Sequence, residues 1–541
     1  MFKHKFSTMY AISISLFFKN VRRILFTTFF LFLTLEAIFY FSGAPQGASR
    51  YVERIIIQQK LNSQKPQDQV RVFTYGESTM YGAHYGVVSS PSSWLQAYLK
   101  DYLPDQNIKV VKFARPGCGS HFIYETFRQT LAYKPDIAIF YLGHNAFLPG
   151  NRKDQVEAEE SGFNAHLNQL IQKSHFVSAV YRCVIRAQMW LKKNRSNRAL
   201  RSNPIESFPL GVKAEDVITK EEPAYWENIE YSKQNIWKIL TLAKEHGVHV
   251  LFLKPVCNLK DFSPSYSVHL EGLSPRDLAQ WDKWYAMGKF EQNEGHLENA
   301  RKFYERAYKI DPAYADLSFR LGEIYLEKGH FKQAKRFFEN ARDHDAVISR
   351  ATMDILKIFE ELKETEGLQL VDTEQVLSSE VKGGILGEPI IEDNVHFSVR
   401  GHFLVGHAVA REMAERNWIA PKGDWQFDRE RSYEEIATQM GINQELLISA
   451  YLESLVYFGS RLENRIRFAQ KVLELDPSNS EALRHLAWAY WLNGRYARAL
   501  EVYKALEQVD PDQLSEVFKL RPKIKRAYRN VRMPPTPVSI Y

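Results

Sequence analysis

The sequence has few cysteines and no strong excess of charge of either sign. Its 541 residues include three cysteines, Cys118, Cys183 and Cys257, too few for the disulfide framework of a small secreted domain. One bridge between Cys183 and Cys257 is compatible with the sequence, which does not establish it. The 71 basic and 64 acidic residues leave a net charge of +7, so composition does not indicate nucleic-acid binding. No group of cysteines and histidines has the spacing of a zinc site, and we expect neither a metal nor another cofactor.

The composition is that of packed globular domains. Hydrophobic residues make up 45% of the chain and charged residues 25%, close to the averages for globular proteins. These values exclude a collagen-like chain, a largely disordered chain and a protein with many membrane spans. At roughly 100–200 residues per domain, the length allows about three to five domains.

One long apolar run lies near the amino end, at Ile24–Phe41, and contains a single charged residue, Glu36. As a helix it would span roughly 27 Å, close to the thickness of a bilayer core. Basic residues precede it, and positive charge favours the cytoplasmic side of a span. We therefore expect a cytoplasmic segment over 1–23, a transmembrane anchor over 24–43 and an extracytoplasmic remainder, as in a single-pass protein of a bacterial inner membrane facing the periplasm. A cleaved signal peptide is the alternative.

Five short apolar segments farther along have the character of buried strands, with helical patterns between several of them. Because strands alternate with helices, we predict an α/β fold with a doubly wound parallel sheet. In such sheets the functional site lies beyond the carboxyl ends of the strands. The five segments are Arg71–Tyr75, Ile108–Phe113, Asp136–Tyr141, Val248–Lys254 and Leu368–Asp372.

Polar or glycine-rich motifs follow the first three predicted strands. Ser78 stands in the triplet GES, Gly117 in the run PGCGS and Asn145 in the triplet GHN. Parallel strands end at one edge of a sheet, so we expect these three residues to converge there. A serine exposed at such an edge suits a nucleophile for acyl transfer, although an ordinary strand-to-loop turn explains the first motif alone.

An aspartate and a histidine, Asp393 and His396, follow the fifth predicted strand. Their spacing lets the carboxylate reach the imidazole and hold its tautomer, so that His396 can take a proton from Ser78 and return it to a leaving group. Cys118 is the weaker candidate nucleophile, because no base has a suitable spacing. Three further histidines fit structural or solvated roles better: His84, His121 and His402.

Taken in order, the motifs GES, a glycine after the second strand, GHN and DxxH resemble those of the SGNH (GDSL-like) hydrolase superfamily. The resemblance covers about 71–145, 248–258 and 368–413, and it implies a flavodoxin-like sheet. More narrowly, the chain looks like a bacterial subgroup of membrane-anchored SGNH proteins with helical repeats. It departs from the family at Glu77, where aspartate is usual, and at Ala146, where an acidic residue is usual.

The resemblance implies a role for each matching residue. Ser78 would be the nucleophile, His396 the general base and Asp393 the group that orients the base. The N–H groups of Ser78 and Gly117 and the side chain of Asn145 would form the oxyanion hole. Three other residues are pocket candidates: His144, Glu77 and Gly119, the last being the alternative to Gly117.

A second pattern recurs at an interval of 34 residues, as from Gly288 to Gly322. It resembles the tetratricopeptide repeat (TPR), a helical hairpin with small residues where the helices touch. We predict hairpins over 281–314 and 315–348 and a further copy over 480–513. Five of seven positions stay alike when Trp284, Gly288, Gly295, Ala300, Tyr304, Ala307 and Pro312 in the first copy are aligned with Ser318, Gly322, Gly329, Ala334, Phe338, Ala341 and Ala346 in the second.

These patterns predict the organisation of the chain after the anchor. The first repeat pair lies between the fourth and fifth strands and is therefore an insertion into the sheet domain. A basic amphipathic stretch, Lys173–Arg201, suits either contact with an anionic membrane surface or packing with solvated charges. The expected parts are a linker over 44–70, the sheet domain over 71–280 and 349–420, the inserted repeats over 281–348, a helical region over 421–518 and a basic, proline-containing tail over 519–541.

The function that we expect is that of a serine esterase or O-acyltransferase acting through an acyl-enzyme. Its substrate class would be an acylated saccharide, an envelope polymer or a lipid, on the grounds of compartment and family resemblance. The alternative is a TPR interaction scaffold that carries an inactive SGNH fold. The complete set of catalytic residue types favours the enzyme. A protein could bind through the repeats, and no motif indicates nucleic acid.

The basic flank before Ile24 generates a prediction about topology. We expect a periplasmic reporter fused after Lys60 to be active and a cytoplasmic reporter fused at the same position to be inactive. Paired fusions of a periplasmic and a cytoplasmic reporter at this position measure it. Activity of the cytoplasmic reporter would contradict both the orientation and the envelope substrate class.

Overall fold

The computed structural model describes residues 48–86, 88–153, 156, 216–457, 462–520, 524–526 and 528. The expected anchor over 24–43, the stretch Lys173–Arg201 and most of the tail lie outside these residues, as does Cys183. No helix within the described ranges is both long and apolar enough to cross a bilayer. Two compact units are distinguished: one holds the described residues up to 61 together with 152, 153 and 156, and the other holds the remainder.

The first unit contains the helix Ala48–Gln58, which lies inside the stretch 44–70 that we expect to be a linker. That expectation is wrong for these residues. Tyr51, Val52 and Ile56 are buried, and because Ile56 follows Val52 by four residues and Tyr51 by five, the three lie on one face of a helix. The polar character of the residues that follow conceals this short amphipathic pattern.

The second unit is built on a five-stranded parallel sheet with the order β2-β1-β3-β4-β5. This confirms the predicted parallel sheet. Each predicted strand begins and ends within two residues of the observed strand. The order is that of flavodoxin-like folds. The strands are β1 (Gln69–Gly76), β2 (Asn107–Ala114), β3 (Ile137–Tyr141), β4 (His249–Leu253) and β5 (Leu370–Val371).

The register of the three adjacent strands positions the site. Gly76, the last residue of β1, pairs with Ala114 at the end of β2 and with Tyr141 at the end of β3. The three loops that carry the sequence motifs therefore leave the sheet at the same level. Aromatic packing reinforces this register, because the Tyr75 ring stacks between Phe113 and Phe140 with centroids 5.6 and 4.8 Å away.

Helices cover the sheet, and sequence signals account for several of their ends. Pro91 occupies the first turn of one helix, whose N-cap Ser90 accepts a hydrogen bond from the Ser93 N–H. Serine at the N-cap and proline in the first turn are both favoured positions. The helices of the sheet domain are Ser78–Tyr81, Pro91–Tyr102, Ser120–Thr130, Pro223–His246, Met353–Glu366, Thr373–Ser378 and Val399–Glu415.

Four of the helices between β4 and β5 form two hairpins. The insertion begins and ends at one place, because the Ala346 N–H donates to the Tyr266 carbonyl at 2.9 Å. Asp345 reinforces this junction by accepting hydrogen bonds from the N–H groups of Ser265 and Tyr266. The helices are Pro275–Asn293, Leu297–Ile310, Ala315–Glu327 and Phe331–Asp343.

The carboxyl-terminal helices are part of the same body as the sheet. Buried side chains such as Leu455, Phe468 and Tyr503 belong to a continuous hydrophobic cluster that also contains Val72 of β1. The region therefore does not form a separate tail. Its helices are Tyr433–Gln439, Gln444–Tyr457, Leu462–Leu475, Ser480–Leu492, Tyr496–Val509 and Pro511–Leu520.

The contact between the first two inserted helices generates a prediction. A Cβ atom on Gly288 would lie 2.4 Å from the Tyr304 ring. Overpacking of this kind costs about 1–3 kcal/mol, which exceeds the roughly 1 kcal/mol that alanine gains over glycine inside a helix. We expect Gly288→Ala to lower the free energy of unfolding, measured by urea denaturation of the full-length chain. Gly423→Ala is the matched control, because a Cβ there meets nothing within 4 Å; equal stability of the two variants would contradict the packing argument.

Candidate active site

Ser78 lies immediately beyond the carboxyl end of β1, at the start of the short helix Ser78–Tyr81. Its Oγ is 2.7 Å from His396 Nε2. The two residues are 318 positions apart in the chain, so the fold brings them together. The structure thus supplies Ser78 with a histidine in position to accept its proton.

Asp393 and His396 lie on a tight turn bracketed by the antiparallel bridge between Ile391 and Phe397. Asp393 Oδ1 accepts hydrogen bonds from the N–H groups of Val395 and His396, at 3.0 and 2.9 Å. This self-capping of the turn leaves Oδ2 free for the His396 ring, whose Nδ1 lies 2.6 Å away. Because Nδ1–H donates to the carboxylate, the unprotonated Nε2 faces Ser78.

A second histidine contacts the same carboxylate. His84 Nε2 lies 3.3 Å from Asp393 Oδ2, and the rings of His84 and His396 have centroids 5.1 Å apart. Burial alone would raise the pKa of Asp393, but its interactions with His396 and His84 hold that pKa well below the usual range. Asp393 therefore remains ionised between two imidazoles.

His84, Asp393 and His396 form one group in the described part of the chain that is compact enough to hold a metal ion. Zinc bonds of about 2.0–2.1 Å in tetrahedral geometry separate neighbouring ligand atoms by roughly 3.3 Å. Nδ1 of His396 and Oδ2 of Asp393 are 2.6 Å apart, which is a hydrogen-bond distance. The donor set therefore fits a hydrogen-bonded acid–histidine pair better than a metal centre.

Several donors surround the Ser78 side of the site. Among the described residues, no acceptor pairs with the backbone N–H of Ser78, Gly117 or Gly119. Gly117 has φ +75, a left-handed conformation that glycine adopts readily. Asn145 is buried, and its amide nitrogen donates one hydrogen to the Cys118 carbonyl at 3.0 Å. The second hydrogen of this amide remains for a bond to a substrate oxygen. Beside the Ser78 N–H, either Gly117 or Gly119 can supply the second backbone N–H of the expected oxyanion hole.

Glu77 does not line a pocket, which corrects our expectation for this residue. It is 1% exposed, and its carboxylate accepts hydrogen bonds from the N–H groups of Gly143, His144 and Asn145 at 3.0–3.3 Å. Burial raises the pKa of Glu77 to about 7, although the three N–H donors act to lower it. The glutamate thus ties the Asn145 loop to the residue next to Ser78.

His144 is likewise structural rather than part of a pocket. It is 1% exposed, its Nδ1 accepts from the Ala351 N–H and its Nε2 contacts the Tyr141 hydroxyl, both at 3.1 Å. Burial, with a smaller effect of His396, lowers the pKa of His144 to about 3. The imidazole is therefore neutral and holds the loop between β3 and Asn145 in place.

The buried cysteines do not compete with Ser78. Cys118 is 6% exposed, and burial, assisted by the charge of Glu77, raises the pKa of its thiol. The thiol therefore stays protonated and unreactive. Cys257 is also buried with a raised thiol pKa, while its possible partner Cys183 lies outside the described residues.

Sequence reasoning assigned no role in this site to His84. The structure brings its ring against Asp393, and Ser454 of the helix Gln444–Tyr457 contacts its other nitrogen. The position of His84 in the glycine-flanked run GAHYG, six residues after Ser78, was the one available signal. For Ser454, which lies far along the chain in a helical pattern, the sequence offers none.

The environment of Glu77 generates a prediction about pH. Its pKa is raised from 4.5 to about 7 in the folded chain, so the folded state binds this proton more tightly than the unfolded state. The corresponding stability, on the order of 3 kcal/mol, is fully present below pH 4.5 and is lost as the pH rises through 7. We expect Glu77→Gln to remove this decline from the pH dependence of the unfolding free energy. Glu245→Gln, at an exposed position, is the control, and an unchanged decline in Glu77→Gln would contradict the assignment.

Comparison with protein families identifies the helical repeats. Residues 293–349 and 466–524 match the family model of the tetratricopeptide repeat. These stretches overlap the repeats predicted over 281–348 and 480–513, so the repeat type is confirmed. No curated protein matches the chain.

Solved structures similar to the chain include hydrolases and repeat proteins. A GDSL-like lipase from Bacteroides thetaiotaomicron is 10% identical, with 68% of this chain and 98% of that one covered and a TM-score of 0.30. A catalytic mutant of an acetylxylan esterase from Geobacillus stearothermophilus is 12% identical, with 67% and 97% covered and a TM-score of 0.29. A TPR protein with an unusual peptide-binding site is 16% identical, with 44% and 90% covered and a TM-score of 0.13. The chain thus carries tetratricopeptide repeats, and the solved structures similar to it include GDSL-like hydrolases.

Proposed function

We propose that the chain is an SGNH-type serine esterase or O-acyltransferase that works through an acyl-enzyme. The observation that carries this proposal is the continuous series of hydrogen bonds from Ser78 through His396 to Asp393, at 2.7 and 2.6 Å. A serine hydroxyl is a weak nucleophile until a base takes its proton. This geometry meets that requirement at the edge of the sheet where the three motif loops converge.

In the first half-reaction, Ser78 Oγ attacks the acyl carbonyl carbon while its proton passes to His396 Nε2. Asp393 stabilises the imidazolium that results and keeps the ring in the productive tautomer. Collapse of the tetrahedral intermediate breaks the ester bond. His396 then gives its proton to the departing alkoxide oxygen, and the acyl group remains on Ser78.

The developing oxyanion is held by the Ser78 N–H, the N–H of Gly117 or Gly119, and the remaining amide hydrogen of Asn145. Donors arranged in advance around such a charge contribute strongly to catalysis, about 3–4 kcal/mol each. Glu77 supports this arrangement indirectly, because its carboxylate binds the backbone of the Asn145 loop. In this role the glutamate of GES replaces the usual aspartate.

In the second half-reaction, His396 takes a proton from water or from an acceptor hydroxyl, and the oxygen attacks the acyl carbon. The bond between the acyl group and Ser78 Oγ then breaks, and His396 returns the proton to Ser78. Water gives hydrolysis and a sugar or other hydroxyl gives transfer, by the same chemistry. We assign the substrate to acylated saccharides, envelope polymers or lipids. That assignment rests on an extracytoplasmic location, which the basic residues before the apolar run Ile24–Phe41 support.

The repeats support a second role beside catalysis. Tetratricopeptide repeats bind protein segments in many proteins, and the matched stretches 293–349 and 466–524 lie in the same compact unit as the site. We propose that a protein partner binds to these repeats. A pure scaffold with an inactive site is less favoured, because it would not require the aligned Ser78, His396 and Asp393.

Substitutions at the hydrogen-bonded series generate the central prediction. Ser78→Ala and His396→Ala should abolish labelling by a fluorophosphonate probe and turnover of a panel of p-nitrophenyl esters. Asn145→Ala should slow acylation by about 100-fold or more, the effect of one lost oxyanion donor. Asp393→Asn should be less severe than loss of Ser78, because orientation is lost and the nucleophile is kept.

Exposed residues of the same types provide the controls. Ser379→Ala and His246→Ala should leave labelling and turnover unchanged, since both side chains are exposed. Wild-type ester turnover in Ser78→Ala would exclude the serine mechanism and favour the scaffold.

A further inference from the structure

His84 occupies the space between the site and the carboxyl-terminal helices. One edge of its ring faces Asp393 Oδ2 at 3.3 Å, and the other contacts the Ser454 hydroxyl through Nδ1. The His84 ring also packs against Phe468, with centroids 4.8 Å apart. His84 is 9% exposed, so these neighbours enclose it.

The direction of the hydrogen bonds follows from Ser454. Its hydroxyl donates to the Ala450 carbonyl of its own helix at 2.7 Å. Its oxygen therefore accepts the Nδ1–H of His84. Because Nδ1 is bonded to Ser454, the Nε2 edge of His84 is held towards Asp393 Oδ2, 3.3 Å away.

The loop that carries His84 is also fixed from the sheet. Lys112 of β2 is partly buried, and its Nζ donates to the carbonyl oxygens of Tyr81 and Gly86 at 2.6 and 3.3 Å. These two residues flank His84 in the chain. The loop is thus held on one side by the sheet, and Ser454 is the contact that sets the ring on the other.

The same helices hold the segment that contains Asp393. The neighbouring Glu392 is 1% exposed, and its carboxylate accepts hydrogen bonds from the hydroxyls of Tyr85 and Tyr451 at 2.7 and 3.0 Å. Arg467 donates to the Glu392 carbonyl at 3.0 Å, and Lys471 Nζ lies 3.3 Å from the carboxylate. Two carboxyl-terminal helices, Gln444–Tyr457 and Leu462–Leu475, therefore bind Glu392, the residue next to Asp393.

We propose that the helices Gln444–Tyr457 and Leu462–Leu475 complete the active site, with His84 and Ser454 as positioning residues for Asp393. Ser454 orients His84, and His84 orients the carboxylate that holds His396. This inference rests on the serine mechanism proposed above. It assigns a role in turnover to helices that would otherwise serve only packing or partner binding.

The test compares variants of the full-length chain by turnover per active site. Titration with a fluorophosphonate counts the competent sites, and p-nitrophenyl acetate then gives kcat and KM for those sites. We expect Ser454→Ala to lower kcat by roughly 10-fold to 100-fold with KM changed less than about 2-fold, because a small displacement of catalytic groups has effects of this size. Ser454→Thr, which keeps the hydroxyl, should restore most of the rate.

Two further variants separate positioning from folding. Ser449→Ala lies on the same helix at an exposed position and should turn over like the wild type. His84→Gln keeps an N–H donor near Asp393 and should retain more activity than His84→Ala. Because kcat is normalised to titrated sites, a loss of folded protein alone does not lower it.

The outcomes distinguish the two proposals. Wild-type kcat in Ser454→Ala, or equal losses in Ser454→Ala and Ser454→Thr, would overturn the positioning role and leave the serine mechanism intact. A wild-type chain that neither takes the probe nor hydrolyses the ester would overturn both, since the second rests on the first.

Discussion

The buried charge of Asp393 is the constraint on which the site depends. An ionised carboxylate away from water is costly unless hydrogen bonds surround it. Asp393 satisfies this requirement through two backbone N–H groups of its own turn, the His396 ring and the nearby His84. Each of these contacts fixes a different element, so that one charge orders the turn, the base and the loop that follows Ser78.

The sheet and the acid–base series were predictable because their signals are local. Strand composition and the motifs at strand ends place Ser78 and Asn145 at one edge, and parallel register then brings their loops to one level. The spacing of Asp393 and His396 indicates their contact for a similar reason, since a three-residue turn lets the side chains meet. The helical repeats were predictable from their fixed interval.

Other features depend on contacts that no short pattern records. Glu77 resembles an ordinary motif residue, and only the packed loop shows that its carboxylate binds three backbone N–H groups. His84 acquires its neighbours from Asp393 and Ser454, which lie more than 300 residues farther along the chain. The buried helix Ala48–Gln58 was hidden by the polar residues beside it.

The distance of 318 residues between Ser78 and His396 has a consequence during synthesis. At about 5–20 residues per second, the ribosome needs roughly 15–60 s to produce the histidine after the serine. The inserted hairpins emerge in this interval and can fold from local contacts, whereas β5 and the Asp393 turn emerge only afterwards. A nascent chain therefore exposes Ser78 without its base until most of the polypeptide has been made.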